Sequence, residues 1–359
     1  MNTRNGNPAL IKLIRAEIEK RGPVSLAWFM EQALYHPEHG YYSSGQCAIG
    51  RQGDYFTNVS VGPLFGRLLT AQFAEMWERL GETENFVIVE QGAHHGDFAR
   101  DVLESAANYR PDFFAALRYR IVEPFPILQD RQSQKLAEFE DKIEWRTSIN
   151  SLDPFTGVHF SNELLDAMPV DLRGKLVGLD GDDFVLVQGA AVSKPPRKER
   201  PCNQAALDWL DSVSRNLLRG YFLIIDYGFS RDEFHGGIQV RAQHRYLDSP
   251  FERIGHADIT MHVDWMSIAR RAQANGLHVA GFTDQHHFLT GIISEWPGII
   301  QSHLLDVDSK MKRELQTLLH PEMLGRSFQV LALAKNVDPG ALRLAGFKFA
   351  RQLPSALDR

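Results

Sequence analysis

The hydrophobic positions of this chain fall into short unbroken runs, separated by segments in which apolar residues recur at helical spacing. The clearest run is Phe86–Val89, four apolar residues of which three are β-branched. Such runs are typical of strands buried on both faces of a parallel sheet. After a turn, the apolar positions follow a helical spacing. They are Phe98, Val102, Leu103 and Ala106. A strand, a turn and a helix are therefore predicted in succession.

The same pattern continues toward the end of the chain. Further strands are predicted at Arg118–Pro124, Gly157–Asn162, Tyr221–Gly228, Leu277–Phe282 and Phe328–Ala334. Strands that alternate with helices imply an α/β fold with an open, doubly wound sheet. Polar residues collect at the strand ends, namely Glu90, Glu123, Asn162, Glu163 and Asp226. Ligands bind outside the carboxyl ends of strands in such sheets, so this edge is the predicted site.

Three regions flank or interrupt the predicted sheet. Residues 1–82 are predicted to form a helical N-terminal cap, with Ser25 as one helix N-cap. We expect a Rossmann-like sheet domain over residues 83–335. An insertion over about 164–218 is expected to carry a β-hairpin at the turn Asp180–Asp182. Residues 336–359 are polar and contain proline, and they are predicted to be an appended tail.

The turn after the first strand has the pattern E-x-G-x-x-x-G, formed by Glu90, Gly92 and Gly96. Glycines let the backbone approach a ligand closely, and a helix N-terminus offers free N–H groups. An acid followed by this glycine spacing is the usual shape of a loop that binds S-adenosylmethionine (SAM). The same glycines also suit a tight turn that only packs, so both interpretations stay open. A nicotinamide dehydrogenase is disfavoured because the turn does not read G-x-G-x-x-G.

Glu123 ends the second predicted strand, one β-α crossover after the glycine turn. A carboxylate at this point can accept hydrogen bonds from both hydroxyls of a ribose. The alternative is that Glu123 is a solvated strand end with no ligand.

Composition sets limits on partners and location. The chain has 359 residues, 43% of them hydrophobic, and a net charge of −6, so nucleic-acid binding is not expected. Two distant cysteines, Cys47 and Cys202, indicate a reducing compartment. Because no apolar run approaches membrane-spanning length and Met1–Gly6 has no signal-peptide core, we expect a soluble, cytoplasmic protein. The oligomeric state is left open.

Several motifs carry a resemblance to a known family. The most specific are Asn162–Val170, which reads N-E-x-x-D-x-x-P-V, and Ala257–Thr260. The other matching stretches are Leu34–Pro37, Gly40–Tyr42, Gly53–Thr57, Phe65–Gly66, Asp226–Gly228 and His262–Asp264. With these, the chain resembles a family of SAM-dependent methyltransferases that includes the mitochondrial complex I assembly factor of the protein-arginine methyltransferase type. The matches span most of the chain.

The resemblance implies a class I methyltransferase fold, in which a seven-stranded, mostly parallel sheet has an antiparallel last strand and a helical N-terminal addition. It also implies SAM as the cofactor and an arginine of a protein partner as the methyl acceptor. The residues expected to hold SAM are Glu90, Gly92, His94, Gly96 and Glu123. The catalytic candidates are Glu163, Asn162, Asp166 and Asp258. Carboxylates suit an arginine acceptor because they orient the guanidinium and favour loss of its proton.

The glycine turn departs from the family pattern E-x-G-P-G-x-G. Ala93 and His94 stand where the proline and the middle glycine are usual. A histidine there adds bulk and demands an uncommon backbone conformation, although an imidazole can also donate to the SAM carboxylate. Two alternatives therefore stay open. One is a non-catalytic assembly or scaffold protein with weakened SAM binding, and the other is a methyltransferase that acts on a small molecule.

Simpler roles exist for some candidates. Asp166 lies three residues after Glu163 and can instead stabilise the start of a helix. Asp258 can be a turn residue. The pairs His94/His95 and His286/His287 are adjacent residues, which do not point the same way on a helix or strand, so no metal site is expected.

Overall fold

A computed structural model gives the fold. It describes residues 6–350 apart from 46, 48–49, 51–52, 54–55, 173, 190–200, 230–236 and 302–308. Asp54 and Tyr55 of the Gly53–Thr57 motif, and residues 351–359 of the predicted tail, therefore lie outside the described residues. By its contacts the chain divides into two compact units. The first comes from the described parts of Met1–Phe56, Leu165–Asp208 and Arg231–Asp264, and the second from those of Thr57–Leu164, Trp209–Ser230 and Trp265–Arg359.

The helices are numbered in chain order over the described residues. They are α1 (Pro8–Arg21), α2 (Leu26–Tyr35), α3 (Asn58–Val61), α4 (Leu64–Arg79), α5 (Asp97–Tyr109), α6 (Pro111–Ala116), α7 (Pro126–Lys135), α8 (Gln204–Asn216), α9 (Trp265–Ala274), α10 (Gln285–Glu295), α11 (Gly298–Gln301) and α12 (Ser309–Leu319). Short 3₁₀ or π-helical turns lie at Ala137–Lys142, Ile149–Ser151, Pro321–Gly325, Pro339–Leu342 and Ala345–Phe347.

The strands are numbered in the same way. They are β1 (Val24–Ser25), β2 (Phe86–Gln91), β3 (Leu117–Val122), β4 (Ile143–Arg146), β5 (Phe155–Asn162), β6 (Asp171–Leu172), β7 (Lys175–Asp180), β8 (Asp183–Gln188), β9 (Pro201–Cys202), β10 (Leu217–Phe229), β11 (Gln239–Ala242), β12 (Arg245–Leu247), β13 (Asp258–Thr260), β14 (Val263–Asp264), β15 (His278–Asp284) and β16 (Phe328–Lys335).

Seven described strands of the second unit form one sheet, in the order β15-β16-β10-β5-β2-β3-β4. Neighbours from β4 to β10 pair in parallel, and β16 pairs antiparallel with both β10 and β15. This order confirms the predicted fold, an α/β doubly wound sheet of the class I methyltransferase type whose last strand runs antiparallel.

Helices cover both faces of this sheet. Side chains alternate along each strand, so neighbouring residues pack against opposite helix layers. On one face Phe160 of β5 stacks on Phe98 of α5, with ring centroids 4.4 Å apart, and contacts Phe73 of α4. On the other face the adjacent His159 lies against Trp209 of α8, with ring centroids 5.3 Å apart. Burial on both faces explains why the strands appear in the sequence as unbroken apolar runs.

Polar residues line one edge of this sheet. Because β2, β3, β5 and β10 are parallel, their carboxyl ends meet at the same edge. Glu90 and Asn162 lie at the ends of β2 and β5, Glu123 follows β3, and Asp226 lies near the end of β10. The structure therefore gathers the predicted strand-end residues at one edge.

Residues 336–350 pack into the second unit. The Gly346 N–H donates to Gln72 Oε1 and the Ala345 N–H donates to Glu75 Oε2, each at 2.9 Å. Gln72 and Glu75 are buried on α4, so the C-terminal segment supplies hydrogen bonds that the core needs. This packing differs from the appended tail expected for residues 336–359.

The first unit has its own apolar core. The buried faces of α1 and α2 pack with small antiparallel sheets, β1-β7-β8, β12-β11-β13 and β6-β9. As predicted, the Ser25 hydroxyl caps α2 by accepting from the Trp28 N–H at 3.0 Å. The predicted hairpin is β7–β8, which turns between paired Asp180 and Asp183. The contacts group α4 with the sheet, so the unit boundary differs from the 82/83 boundary expected between cap and sheet domain.

Candidate active site

The turn between β2 and α5 has left-handed backbone at three positions. Gly92 and Gly96 have φ values of 85° and 80°, and His94 between them has a φ of 47°. This region is open to glycine but uncommon for a residue with a side chain. The conformation expected for His94 is therefore observed.

The His94 ring packs within the turn. It stacks on His95 with ring centroids 3.8 Å apart, and His95 Nε2 lies 3.3 Å from Arg131 Nη1 on α7. Burial, followed by the charges of Arg131 and Lys135, lowers the pKa of His95 and favours its neutral ring. The bulk that His94 adds is thus accommodated by ring stacking.

The start of α5 offers donors to a ligand. Gly96 is its N-cap, and no side chain caps the first turn of this described helix. N–H groups in a first turn without a cap suit an anionic group such as a carboxylate.

Glu90 is buried beneath the turn. Its side chain accepts a hydrogen bond from the Tyr119 hydroxyl at 2.7 Å, and the residue is 4% exposed. Burial raises the pKa of the Glu90 carboxyl to about 8, against the opposing effect of the Tyr119 bond. A neutral carboxyl is therefore favoured at neutral pH.

We expect Glu90→Gln to flatten the dependence of stability on pH. The pKa of Glu90 in the folded protein, about 8, lies above its ordinary value of 4.5. The protonated carboxyl therefore stabilises the fold fully below that ordinary value, and this contribution is lost as the pH rises through about 8. Thermal unfolding between about pH 5 and pH 8.5 should show a steeper fall in Tm for the wild type than for the variant. Equal slopes would contradict the assignment.

Glu123 is also buried, at 4% exposure, so the alternative of a solvated strand end is wrong. Its Oε1 accepts from the Phe125 N–H and its Oε2 from Gln132 Nε2, both at 3.1 Å. Burial raises the pKa of Glu123 to about 7, and the two hydrogen bonds oppose that rise. Each oxygen has one fixed donor, so the carboxyl group is held in one orientation.

Gln132 connects three parts of this region from α7. Its Nε2 donates to Glu123 Oε2 at 3.1 Å and to the His94 carbonyl at 2.9 Å, and its Oε1 accepts from Trp145 Nε1 at 3.0 Å. The side chain is fully buried. Sequence analysis did not identify Gln132 as a site residue. Helix α7 is polar along most of its length, so a buried glutamine there looks like an exposed one.

Glu163 lies just after β5 in a left-handed conformation, with a φ of 54°. Its Oε1 accepts from Asn162 Nδ2 at 2.8 Å and from the Asn58 N–H at 3.3 Å. Asn58 Nδ2 donates in turn to Asn162 Oδ1 at 2.9 Å. The structure thus brings two predicted candidates together and adds a third residue to them.

Asn58 was not among the predicted site residues. It is fully buried at the start of α3, where Thr57 is the N-cap. The signal available in the sequence is the capping pattern of Thr57 and Ser60, which marks a helix start but gives no hint of contact with Glu163.

Asp166 and Asp258 belong to the first unit. Asp166 lies in a turn, and its backbone carbonyl accepts from the Met261 N–H at 2.8 Å. Asp258 opens β13, and its Oδ1 accepts from the Tyr42 hydroxyl at 2.6 Å. No described helix begins at Asp166 and Asp258 lies in a strand, so both simpler roles considered for them are wrong.

Comparison with known proteins decides the family. A model of the family of S-adenosyl-L-methionine-dependent methyltransferases matches residues 68–176 and 184–283. The matched ranges make up more than half of the chain and include the glycine turn, Glu123 and Asn162–Asp166. The chain belongs to this family. It is a methyltransferase, and its cofactor is SAM.

Relatives of known name extend the comparison. The protein arginine methyltransferase NDUFAF7 homolog, mitochondrial, of Drosophila melanogaster is 26% identical, over 93% of this chain and 86% of the relative. Protein arginine methyltransferase NDUFAF7, mitochondrial, of Homo sapiens is 23% identical, over 95% of this chain and 86% of the relative.

A solved structure agrees with the fold and the cofactor. It is a crystal structure of a candidate methyl transferase from Burkholderia thailandensis bound to S-adenosyl-homocysteine (SAH). It is 27% identical to this chain, with a TM-score of 0.83, and the match covers 96% of this chain and 95% of that one.

The expectation of a cytoplasmic location is wrong. The relatives from Drosophila melanogaster and Homo sapiens are both named mitochondrial. The expectation rested on the small number of cysteines and on the absence of a long apolar run. Both features suit an organelle interior equally well.

Two other features concern the described residues alone. Within them, no helix combines the length and the apolar character needed to cross a membrane. The same residues contain no group of three or more His, Cys, Asp or Glu side chains that could hold a metal ion.

Proposed function

We propose that this methyltransferase transfers the methyl group of SAM to an arginine side chain of a protein. The names of the relatives from Drosophila melanogaster and Homo sapiens support this acceptor class. The observation that carries the proposal is the Glu163 carboxylate, which Asn162 and Asn58 hold at the carboxyl end of β5.

The proposed cofactor site is the edge of the sheet at β2 and β3. Gly92, His94 and Gly96 would shape the turn, and the first turn of α5 would take the carboxylate of SAM. Glu123 would accept the ribose hydroxyls, and buried Glu90 would support the turn from below. The donor and acceptor groups of these residues match a nucleoside with an amino-acid tail. When bound, SAM supplies an electrophilic methyl group on a sulfonium.

The proposed acceptor site centres on Glu163. A guanidinium is permanently charged, and a carboxylate beside it both orients the plane and accepts a proton as the nitrogen attacks. Glu163 would provide these two functions, and the amide of Asn162 would fix the direction of its carboxylate. Asp166 and Asp258 lie in the first unit, and their catalytic role stays a prediction from the sequence. In-line methyl transfer depends chiefly on how the acceptor is positioned, which is the role proposed for Glu163 and Asn162.

Incubation with methyl-labelled SAM tests the proposal. The purified chain would be mixed with arginine-containing peptides, and the products hydrolysed and analysed for methylarginine by mass spectrometry. Label in methylarginine is the expected result. A parallel incubation would replace the peptides with a protein-free extract. Label in a small molecule of that extract, with none in methylarginine, would indicate the small-molecule alternative.

Titration with SAH by calorimetry is the companion measurement for the cofactor site. We expect Glu123→Gln to weaken SAH binding by at least about tenfold, because a ribose hydroxyl loses a charged acceptor. Equal affinity of wild type and variant would contradict the placement of SAM at Glu123. If the wild type gives no heat and no thermal shift at millimolar SAH, the result favours the scaffold alternative.

A further inference from the structure

Taking the proposed cofactor site as the basis, we propose that Gln132 is a positioning residue that fixes the glycine turn and Glu123 as one rigid SAM-binding surface. Its amide has two N–H donors. One bonds the His94 carbonyl at 2.9 Å and the other bonds Glu123 Oε2 at 3.1 Å. The same nitrogen therefore ties the part of the site that would hold the amino-acid tail to the part that would hold the ribose.

The third bond of Gln132 sets the direction of its amide. Trp145 Nε1 on β4 donates to Gln132 Oε1 at 3.0 Å. If the amide oxygen and nitrogen exchanged places, the amide N–H groups would face the Trp145 N–H, and two donors would oppose each other. All three hydrogen-bonding groups of this fully buried amide are thus satisfied. Such a saturated network specifies one geometry.

The hydrogen bond from Gln132 to the His94 carbonyl matters most for the backbone of His94. This residue has a φ of 47°, where a side chain is strained, and neighbouring structure must hold such a conformation in place. The bond from Gln132 fixes the peptide between His94 and His95, which sets the path of the chain toward Gly96. Gln132 therefore helps to hold a histidine in a backbone conformation that favours glycine.

The hydrogen bond from Gln132 to Glu123 Oε2 also affects the charge of Glu123. The bond from Gln132 lowers the pKa of the Glu123 carboxyl against the dominant effect of burial. Ionisable groups on the surrounding elements include Glu90 on β2, His94 and His95 in the turn, Asp97 on α5, Asp130, Arg131 and Lys135 on α7, and Glu144 and Arg146 on β4. Loss of the Gln132 donor should raise the pH at which Glu123 becomes a carboxylate.

SAH titration of the full chain between about pH 6 and pH 8.5 tests this role. We expect Gln132→Met to weaken SAH binding at the upper pH by about tenfold or more and to move the pH midpoint of binding upward. Gln132→Asn, which keeps an amide but withdraws it by one methylene, should move the midpoint in the same direction. Gln134→Met is the matched control, because it makes the same substitution at an exposed position of the same helix, and its midpoint should stay at the wild-type value.

The outcomes separate this role from the proposed cofactor site. If Glu123→Gln binds SAH as the wild type does, the cofactor site itself is misplaced. If Glu123→Gln loses affinity while Gln132→Met and Gln132→Asn keep the wild-type Kd and midpoint, the site stands and the role of Gln132 is refuted. An equal upward shift for Gln134→Met would also refute it, since that change spares the bonds to His94 and Glu123.

Discussion

Glu163→Gln is expected to lower the rate of methyl transfer by at least about 100-fold while leaving SAH affinity near the wild-type value. The substitution keeps the size of the side chain and an oxygen that can accept from Asn58 and Asn162. It removes the negative charge that would hold a guanidinium and the oxygen that would accept its proton. The measurement is the rate of methylarginine formation from labelled SAM, together with the Kd for SAH.

Glu82→Gln is the matched control for this experiment. Glu82 is exposed and has a φ of 56°, close to the 54° of Glu163, so it repeats the substitution on the same backbone conformation outside the site. We expect the wild-type rate from this variant. A Glu163→Gln enzyme with full activity would remove Glu163 from the mechanism. A parallel loss of SAH binding would instead place Glu163 in the cofactor site.

Gly157→Ala is expected to reduce the free energy of unfolding by about 4 kcal/mol or more, among the largest effects of a single substitution. Gly157 lies on β5 between β2 and β10, with a φ of 149°. A Cβ atom there would lie 2.0 Å from the Val87 carbonyl oxygen of β2. Neither strand can yield, because each is hydrogen-bonded in the middle of the sheet. Urea unfolding measures the loss.

The control for Gly157 is Gly276, a glycine in a turn with a φ of 74°. No atom lies within 4 Å of the position its Cβ would take. Gly276→Ala should therefore show only the strain of a left-handed conformation, about 1–2 kcal/mol. Equal losses for the two variants would show that conformation, and not the close approach of backbones, explains the effect at Gly157.

The sheet was predictable because its signals are local. A buried parallel strand is a continuous apolar run, and Phe86–Val89 shows this without any tertiary information. The parallel arrangement then determines that Glu90, Glu123 and Asn162 reach the same edge. The uncommon backbone at His94 was also accessible, since it follows from comparing one turn with the pattern of its family.

The residues that support the site were not predictable. Asn58 contacts Asn162 and Glu163 across more than a hundred positions of sequence, and nothing near Asn58 marks its partner. Gln132 lies on a polar helix, where a buried glutamine has the same appearance in the sequence as an exposed one. Buried polar contacts between distant elements need the tertiary structure to be recognised.

The hydrogen bonds from Ala345 and Gly346 to α4 have a consequence for synthesis of the chain. The second unit is closed by β16 and the segment after it, and β16 lies between β10 and β15. Until these residues have been made, β10 and β15 lack their shared neighbour, and Gln72 and Glu75 lack the N–H donors of Gly346 and Ala345. The sheet can therefore be completed only after β16 has been synthesised, and until then the facing edges of β10 and β15 are open to pairing with other strands.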